Sequence, residues 1–439
     1  MKKKKVVSIL LTSIMLTGML AGCGGKSEEA GSSGDKQTIE FWYHDGNANS
    51  NAIFEELIAQ FEKENPEYEV EYVGLPSDSY LQKYNTAIAT NTVPDVASIR
   101  DQDVSALINQ GALSCIDEDF ESFEEKEHIS ESALNAIRNC SVDGKLYCLP
   151  QYTQPQIFWY NTTLMEEKGA EIPATIDEFM EACETYADPD NGTYFYSLRG
   201  GAGSLDNMLD FIFTYANQDS FFDEEGNCVL SDPIFAEALD TYASIYWNGW
   251  TSKDSVSNSY KEMVAEFGSG TAMGIANNSS ALAENINNLG EGNFTNALAP
   301  ANEEGIVVTK DVPFMGYTVF EGAKNREGGV KFLEFLVSHD AVSYFCEKDG
   351  RVPVNDLVYE DEWYQNNAYM PVYEEMMSSE TVKFLARPLW LPEWSEFLSK
   401  VQEPGLQAVL MKEKTSEEVL QEWAEYLTNA QKEYLESNK

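Results

Sequence analysis

The hydrophobic positions between residues 38 and 99 alternate between two periods, which predicts strands separated by helices. The β-forming run 38–43 is typical of a strand. Apolar residues at positions 53, 54, 57, 58 and 61 follow helical spacing, and Asn65-Pro66 ends that helix. A second strand over 69–73 completes a β-α-β unit, whose strands we expect to be parallel with a right-handed crossover.

The same alternation continues to the end of the chain. A helix begins near Tyr80, and residues 94–99 form the third predicted strand. Thr175 and Glu178 have the spacing of a capping box, which predicts a helix start. Further strands are predicted over 156–160, 271–276 and 312–319, and further helices over 233–246, 261–267, 328–337, 341–346, 395–410 and 415–436. This order predicts an α/β fold, in which ligands bind at the carboxyl ends of the strands.

The first 37 residues predict export and a lipid anchor. Four lysines at positions 2–5 precede an uncharged apolar run over 6–20, which is the pattern of a secretory signal. Leu20-Ala21-Gly22-Cys23 resembles the bacterial lipobox, in which the cysteine is acylated and becomes the mature N-terminus. We therefore predict a signal peptide over 1–22 and a lipidated Cys23. Residues 23–37 form a flexible spacer of small and charged residues.

The charge of the chain limits its partners. The formal net charge is −45, from 74 acidic and 29 basic residues. Such a surface repels nucleic acid, so no polynucleotide partner is expected. It also disfavours adhesion to anionic lipids, so membrane attachment is expected through the lipid anchor only. The acidity leaves a cationic ligand such as a polyamine or a peptide open, although it also serves solubility.

The sequence contains no pattern that indicates a metal, a cofactor or catalysis. The six cysteines after Cys23 are scattered, so buried free thiols are expected, although Cys140 and Cys148 flank the turn signal Asp143-Gly144 and could face each other across a hairpin. Three histidines without CxxC or HExxH spacing do not suggest zinc. No phosphate loop or nucleophile elbow occurs. A carboxylate pair of a glycosidase could be nominated among 74 acidic residues, but nothing singles one out.

Loops that mix aromatic, amide and charged residues follow several predicted strands. Flat rings cover the C–H faces of sugars, while Asp, Asn, Gln and Arg bind their hydroxyl groups. Each cluster also has a structural explanation, as strand core, as a turn, as a helix cap or as packing. The clusters are Tyr43-His44-Asp45, Arg100-Asp101-Gln102, Tyr152-Thr153-Gln154, Asn277-Asn278 and Trp390 to Trp394. Their recurrence at strand ends favours a binding site, with the first two clusters on one rim of the sheet.

Ordered segments of the chain resemble the extracellular solute-binding proteins of ABC importers, specifically the sugar-binding group that includes maltose-binding proteins. The segments include Phe41-Trp42, Pro94-Asp95-Val96, Asp143-Gly144-Lys145-Leu146-Tyr147, Trp159-Tyr160-Asn161 and Phe267-Gly268-Ser269-Gly270-Thr271-Ala272-Met273. The resemblance implies two hinge-connected, doubly wound α/β lobes with the ligand in the cleft between them. The implied first lobe is 38–152 plus 317–364, and the second is 153–316 plus 365–439.

Ligand-contacting positions of the family fall on residues of this chain that already carry suitable chemistry. They are Tyr43, His44, Asp45, Arg100, Asp101, Gln102, Gln154, Arg199, Asn277, Tyr317, Trp390 and Trp394. The chain departs from the family at Asn277-Asn278-Ser279, where sugar binders often place a tryptophan. The resemblance therefore leaves Trp390 or Trp394 to supply the stacking ring.

Together, the residues and the resemblance predict a lipid-anchored, monomeric substrate-binding protein on the outer face of the cell membrane. It would capture a carbohydrate, expected to be an oligosaccharide, and deliver it to an ABC permease without chemistry, metal or cofactor. The alternatives are a peptide- or polyamine-binding importer component and a surface glycoside hydrolase.

Overall fold

The computed structural model describes residues 36–77, 79–141, 143–310 and 313–437. The predicted signal peptide and Cys23, with the spacer up to residue 35, lie outside the described residues. Within the described ranges helices and strands are mixed along the whole chain, as the sequence pattern predicts, and several helices follow one another without an intervening strand. No helix in these ranges is long and apolar enough to span a bilayer.

The strands of the described residues are β1 (Gln37–Tyr43), β2 (Tyr68–Gly74), β3 (Val96–Arg100), β4 (Leu149–Thr153), β5 (Gln156–Asn161), β6 (Tyr194–Tyr196), β7 (Ala272–Asn278), β8 (Phe294–Ala297), β9 (Val307–Lys310), β10 (Phe314–Val319), β11 (Val352–Pro353) and β12 (Val382–Leu385).

The α-helices of the described residues are α1 (Ala48–Glu64), α2 (Tyr80–Thr90), α3 (Asp101–Asn109), α4 (Asp117–Ser122), α5 (Glu131–Arg138), α6 (Thr162–Lys168), α7 (Ile176–Thr185), α8 (Ser204–Ala216), α9 (Pro233–Trp247), α10 (Tyr260–Gly268), α11 (Leu282–Leu289), α12 (Arg326–Val337), α13 (His339–Asp349), α14 (Glu362–Gln365), α15 (Pro371–Ser378), α16 (Trp394–Phe397), α17 (Glu403–Leu410) and α18 (Ser416–Ser437).

The first lobe is built on a six-stranded sheet in the order β11-β4-β10-β3-β1-β2. β1 pairs in parallel with β2 and with β3, which confirms the predicted β-α-β unit. β10 is antiparallel to both β3 and β4. The ring of Phe41 packs edge-on against Phe54 of α1 and Phe332 of α12, so helices cover the sheet and bury its apolar residues.

The second lobe contains a four-stranded sheet in the order β6-β7-β5-β8 and a parallel pair of β9 and β12. Apolar residues lie on both faces of β5, and other parts of the lobe cover each face. Phe158 packs edge-on against Phe179, while Trp159, on the opposite face, packs against Phe294 and Tyr369. All six residues of β5 are buried, as its unbroken apolar sequence predicts.

Two segments that pass between the lobes are hydrogen-bonded to each other. Residues 154 and 155 connect β4 of the first sheet to β5 of the second, and Pro313, the first described residue after β9, lies directly before β10. Thr153 Oγ1 and the Gln154 N–H both donate to the Pro313 carbonyl, at 2.9 and 3.2 Å. The β4 and β10 strands reach residues 153 and 314, so the first sheet extends slightly beyond the predicted lobe boundaries at 152 and 317, which stay predictions.

Local signals of the sequence are confirmed with one exception. Thr175 and Glu178 form the reciprocal capping box at the start of α7. The prediction of a hairpin across Asp143-Gly144 is wrong, because Cys140 follows helix α5 and is not in a strand. The Cys140 thiol donates to the Ala136 carbonyl at 3.3 Å. Cys148 and Cys183 are buried free thiols, as expected, and Cys115 is an exposed one.

Candidate functional site

A cavity of about 880 Å³ lies between the two lobes. Its walls come from the loops after β1 and β3, from the two crossing segments, and from α8, α10, α11 and α17 of the second lobe. The volume is within the range of small-molecule binding sites in proteins. The cavity therefore has the position and size expected of a ligand site between hinged lobes.

Eight of the twelve predicted site residues line this cavity. They are His44, Asp45, Arg100, Asp101, Gln102, Gln154, Arg199 and Trp394. The first five lie at the carboxyl ends of β1 and β3, with Arg100 as the last residue of β3. These strands are parallel neighbours and therefore end at the same edge of the sheet. Gln154 lies in a crossing segment, and Arg199 precedes α8 of the second lobe.

Two of the remaining predicted residues, Tyr43 and Tyr317, belong to the core of the first lobe. Tyr43 packs against Phe54 with ring centroids 4.4 Å apart, and Tyr317 donates from its hydroxyl to Gln151 Oε1 at 2.6 Å. Both side chains are fully buried. Because side chains alternate along a strand, the residue next to Tyr43, His44, is the one that faces the cavity.

Asn277 and Trp390 also lie outside the cavity lining. Asn277 is inside β7, which extends further than predicted, and it is Asn278 that lines the cavity. Trp390 packs on the C-terminal helix and donates from Nε1 to Gln431 Oε1 at 2.7 Å. Trp394 reaches the cavity but is only 2% exposed, so it offers little ring surface for stacking.

His44 is held rigidly at the first-lobe wall. Its backbone N–H donates to Ser98 Oγ at 2.8 Å, and its Nδ1 lies 2.7 Å from the same oxygen. Burial, followed by the charges of Arg100 and Arg351, lowers the pKa of His44 well below its ordinary value. The imidazole is therefore neutral at neutral pH.

Three ion pairs surround the cavity. Asp101 binds Arg387 at 2.6 Å, and each side chain of this pair is only 8% exposed. Lys310 binds Asp206 at 2.6 Å where β9 enters the crossing segment, and Arg351 Nε donates to Asp349 Oδ2 at 2.6 Å. These pairs compensate buried charge and hold the cationic groups in place.

Sequence reasoning missed several lining residues, including Tyr152, Tyr260, Asn278, Glu284, Lys310, Arg351, Arg387 and Glu403. Tyr152 belongs to the cluster Tyr152-Thr153-Gln154, which the sequence singles out. Of that cluster, only Gln154 was predicted to be a site residue. The scarcity of arginine is a further signal, since the 439 residues contain six arginines and four of them line the cavity. Among the described residues no group of three or more His, Cys, Asp or Glu side chains could hold a metal ion.

Comparison with known proteins agrees with this architecture. A putative binding protein of Brucella abortus (strain 2308) is 25% identical over 400 residues, covering 90% of this chain and 93% of that protein. The multiple sugar-binding protein of Streptococcus mutans is 23% identical over 364 residues, covering 78% and 80%. An ABC transporter solute-binding protein from Thermotoga lettingae, solved with α-D-tagatose, superposes with a TM-score of 0.77 at 19% identity, covering 90% of this chain and 100% of that one.

The structural match shows that the chain has the two-lobed fold of periplasmic binding proteins. These relatives are binding proteins and not enzymes. A model of the family described as bacterial extracellular solute-binding protein matches residues 46–343, which is more than half of the chain. The chain therefore belongs to the family of bacterial extracellular solute-binding proteins.

Proposed function

We propose that this chain is a lipid-anchored, monomeric substrate-binding protein that captures an oligosaccharide between its lobes and delivers it to an ABC permease. Cys23 would carry the acyl chains, and residues 23–37 would let the folded part stand off the outer face of the cell membrane. The lobes would be 38–152 plus 317–364 and 153–316 plus 365–439, joined at the crossing segments.

The observation that carries this proposal is the polar lining of the interlobe cavity. His44, Gln102 and Gln154 from the first lobe and crossing segment face Asn278 and Gln402 from the second. Amides donate to and accept from the paired hydroxyls of a sugar, carboxylates accept from them and guanidinium groups donate to them. Tyr260 is a partly exposed aromatic lining residue and would supply a flat face for the C–H surface of a ring.

The relatives support a carbohydrate as the ligand class. The Streptococcus mutans relative is a multiple sugar-binding protein, and the Thermotoga lettingae neighbour was solved with a sugar. A cavity of about 880 Å³ has room for more than one sugar ring, which favours an oligosaccharide.

Transport would follow from hinge closure. A ligand that contacts both walls stabilises the closed form by its higher affinity for that form, and the permease would recognise the closed lobes. The Thr153 and Gln154 bonds to Pro313 tie two crossing segments together, so they would bend as one unit.

The alternative of a polyamine or cationic peptide predicts an acidic cavity. The lining contains Arg100, Arg199, Lys310, Arg351 and Arg387 beside its carboxylates, so it does not offer a purely acidic surface. This arrangement favours a ligand that carries hydroxyls over a polycation.

Calorimetry of the soluble chain lacking residues 1–23 tests the ligand class. We expect micromolar or tighter binding of at least one member of a panel of neutral and acidic mono- and oligosaccharides, with the sugar recovered unchanged. Spermidine and a lysine-rich peptide serve as the rival ligands. Binding of these cations without binding of any sugar would disprove the carbohydrate assignment.

Metabolic labelling with a palmitate analogue tests the anchor. The wild-type chain should incorporate the label and stay with the membrane, whereas Cys23→Ala should be unlabelled and released. Cys115→Ala removes an exposed thiol of the folded part and is the matched control, which should still be labelled. Membrane retention of the unlabelled Cys23→Ala chain would rule out lipid anchoring at this residue.

A further inference from the structure

Arginine is concentrated in the cavity, although the chain as a whole is strongly acidic. The net charge is −45, yet four of the six arginines and Lys310 line the cavity. Scattered basic residues on an acidic protein would pair with the many surface carboxylates, as Arg138 and Arg326 do with Asp117 and Asp119. Of the other four, Arg351 and Arg387 pair with carboxylates of the cavity, whereas Arg100 and Arg199 form no ion pair in the described ranges. The position of these two therefore requires a different explanation.

Arg100 and Arg351 are the two cations with unused hydrogen-bonding capacity at the first-lobe wall. Arg100 Nη2 donates to Ser77 Oγ at 2.6 Å, and its guanidinium lies 4.9 Å from the ring centroid of Tyr80. It forms no ion pair with a carboxylate of the described residues. Arg351 uses Nε for Asp349, while its buried Nη1 has no hydrogen-bond partner in the described part of the chain.

The two guanidinium groups act on the same neighbours. Arg351 lies 5.2 Å from the ring centroid of Tyr152, and both arginines counter the rise that burial causes in the pKa of this tyrosine. Both also lower the pKa of His44, after the effect of burial. The neutral imidazole does not compensate either cation. Arg351 is paired with Asp349 through Nε only, and Arg100 forms no ion pair in the described ranges, so an acceptor from outside the protein would use their remaining N–H donors.

The carboxylates of the cavity do not fill this role. Asp101, Asp206 and Asp349 are already engaged with Arg387, Lys310 and Arg351. The other three lining carboxylates, Asp45, Glu284 and Glu403, form no ion pair with a cation in the described ranges and can accept hydrogen bonds from sugar hydroxyls.

We infer that the ligand is an anionic oligosaccharide, whose carboxylate or sulfate group binds between Arg100 and Arg351 at the first-lobe wall. This inference rests on the proposed function and specifies its substrate class. The planar guanidinium fork matches both anions, and hydrogen bonds between charged partners are roughly twice as strong as those between neutral groups. Arg199 would contribute from the second lobe when the cavity closes.

Calorimetry with matched sugar pairs tests the inference. The pairs are α-1,4-digalacturonate against α-1,4-galactobiose, a glucuronic-acid-substituted xylotriose against xylotriose, and lactose 3′-sulfate against lactose. We expect the acidic member of at least one pair to bind about tenfold tighter or more. The first two pairs report on a carboxylate and the third on a sulfate. Binding of the acidic member should weaken between 20 and 500 mM NaCl, and binding of a neutral sugar should not.

Arg100→Gln should reduce the preference for the acidic member about tenfold, because it weakens binding of the acidic member more than binding of its neutral counterpart. Arg100→Lys should lie between Arg100→Gln and the wild type. Arg326→Gln removes an exposed arginine outside the cavity and is the matched control, which should leave both affinities unchanged.

The outcomes separate the inference from the proposed function. Equal or preferred binding of neutral sugars, without salt dependence, would overturn the anionic ligand and leave the carbohydrate assignment standing. No binding of any sugar in either panel would overturn both. A preference for the acidic member that persists in Arg100→Gln and in Arg351→Gln would overturn the assigned anion site.

Discussion

The two walls of the cavity differ in how firmly their side chains are held. On the first wall, His44, Arg100 and Arg351 each have a polar partner within 2.8 Å. On the second wall, the Tyr260 hydroxyl lies 3.5 Å from Glu284, and Gln407 donates to Glu403 at 3.5 Å, which is the limit of a hydrogen bond. The first wall is therefore preorganised for a ligand. On the second wall Lys310 and Arg199 are also held, by Asp206 at 2.6 Å and by the Ala202 carbonyl at 2.7 Å, while Tyr260 and Glu403 are free to adjust as the lobes close.

A preorganised wall loses little side-chain entropy on binding, so its contacts contribute more affinity than those of a mobile wall. We therefore expect substitutions on the first wall to have larger effects than substitutions on the second. Substitutions with equal effects on the two walls would contradict the contrast between them.

Asp101→Ala removes the buried carboxylate by which the first wall binds Arg387 of the segment after β12. We expect the free energy of unfolding to fall by about 3 kcal/mol, because this change removes a buried carboxylate that compensates the charge of a buried guanidinium. Urea unfolding monitored by tryptophan fluorescence measures the change. Glu396→Ala breaks the exposed pair with Lys400 and is the control, for which a loss below about 0.5 kcal/mol is expected. Similar losses of unfolding free energy in both variants would show that the buried pair stabilises the fold no more than the exposed pair does.

His44 makes the first wall sensitive to acid. Its folded-state pKa lies well below 6.5, so the unfolded chain binds a proton that the folded chain does not, and stability falls as the pH drops below about 6.5. Between pH 6.5 and pH 5 this residue should account for part of the loss of stability, and His44→Gln should remove that part.

His339 provides a control of opposite sign. Burial opposes the charged form of this imidazole, but its bonds to Asp361 and Asp340 raise its pKa, so its contribution to stability is present in acid and is lost as the pH rises. His339→Gln should therefore steepen the acid-induced loss that His44→Gln reduces. The same change in slope for both variants would show that His44 is not the group that titrates.

Arg351→Lys tests the affinity of the first wall directly. The charge beside Asp349 is kept while the guanidinium fork is lost, so folding should be retained and the affinity for the tightest-binding acidic sugar should fall about tenfold. Arg138→Lys, at an ion pair outside the cavity, is the matched control. An unchanged affinity in Arg351→Lys would mean that the first wall attracts the anionic sugar by charge and does not orient it.

The sequence predicted the first wall better than the second because of how each is built. His44 and Arg100 follow parallel strands, and the ends of such strands share one edge of a sheet whatever the later packing. Arg351 follows α13, and Tyr260 begins α10, so only tertiary packing brings these residues to the cavity. Their spacing in the chain contains no signal of that proximity.

Errors of one residue explain two further differences. Asn277 instead of Asn278, and Tyr43 in addition to His44, were expected at the site. Adjacent strand residues point to opposite faces, so a one-residue uncertainty in where a strand ends exchanges a ligand contact for a core residue. The local capping signal at α7 was correct, because it depends on contacts within one turn.

Glu403→Gln should have the smallest effect of the four substitutions. Its carboxylate lies on the adjustable second wall, and glutamine keeps an oxygen that can accept from a sugar hydroxyl. We expect the affinity for the tightest-binding sugar to change less than about threefold, which is below 1 kcal/mol. Calorimetry at the same pH and salt as for Arg351→Lys makes the two values comparable. A tenfold loss in Glu403→Gln would show that the second wall is as preorganised as the first, and the ligand would then have to be held by hydroxyl contacts on both lobes before they close.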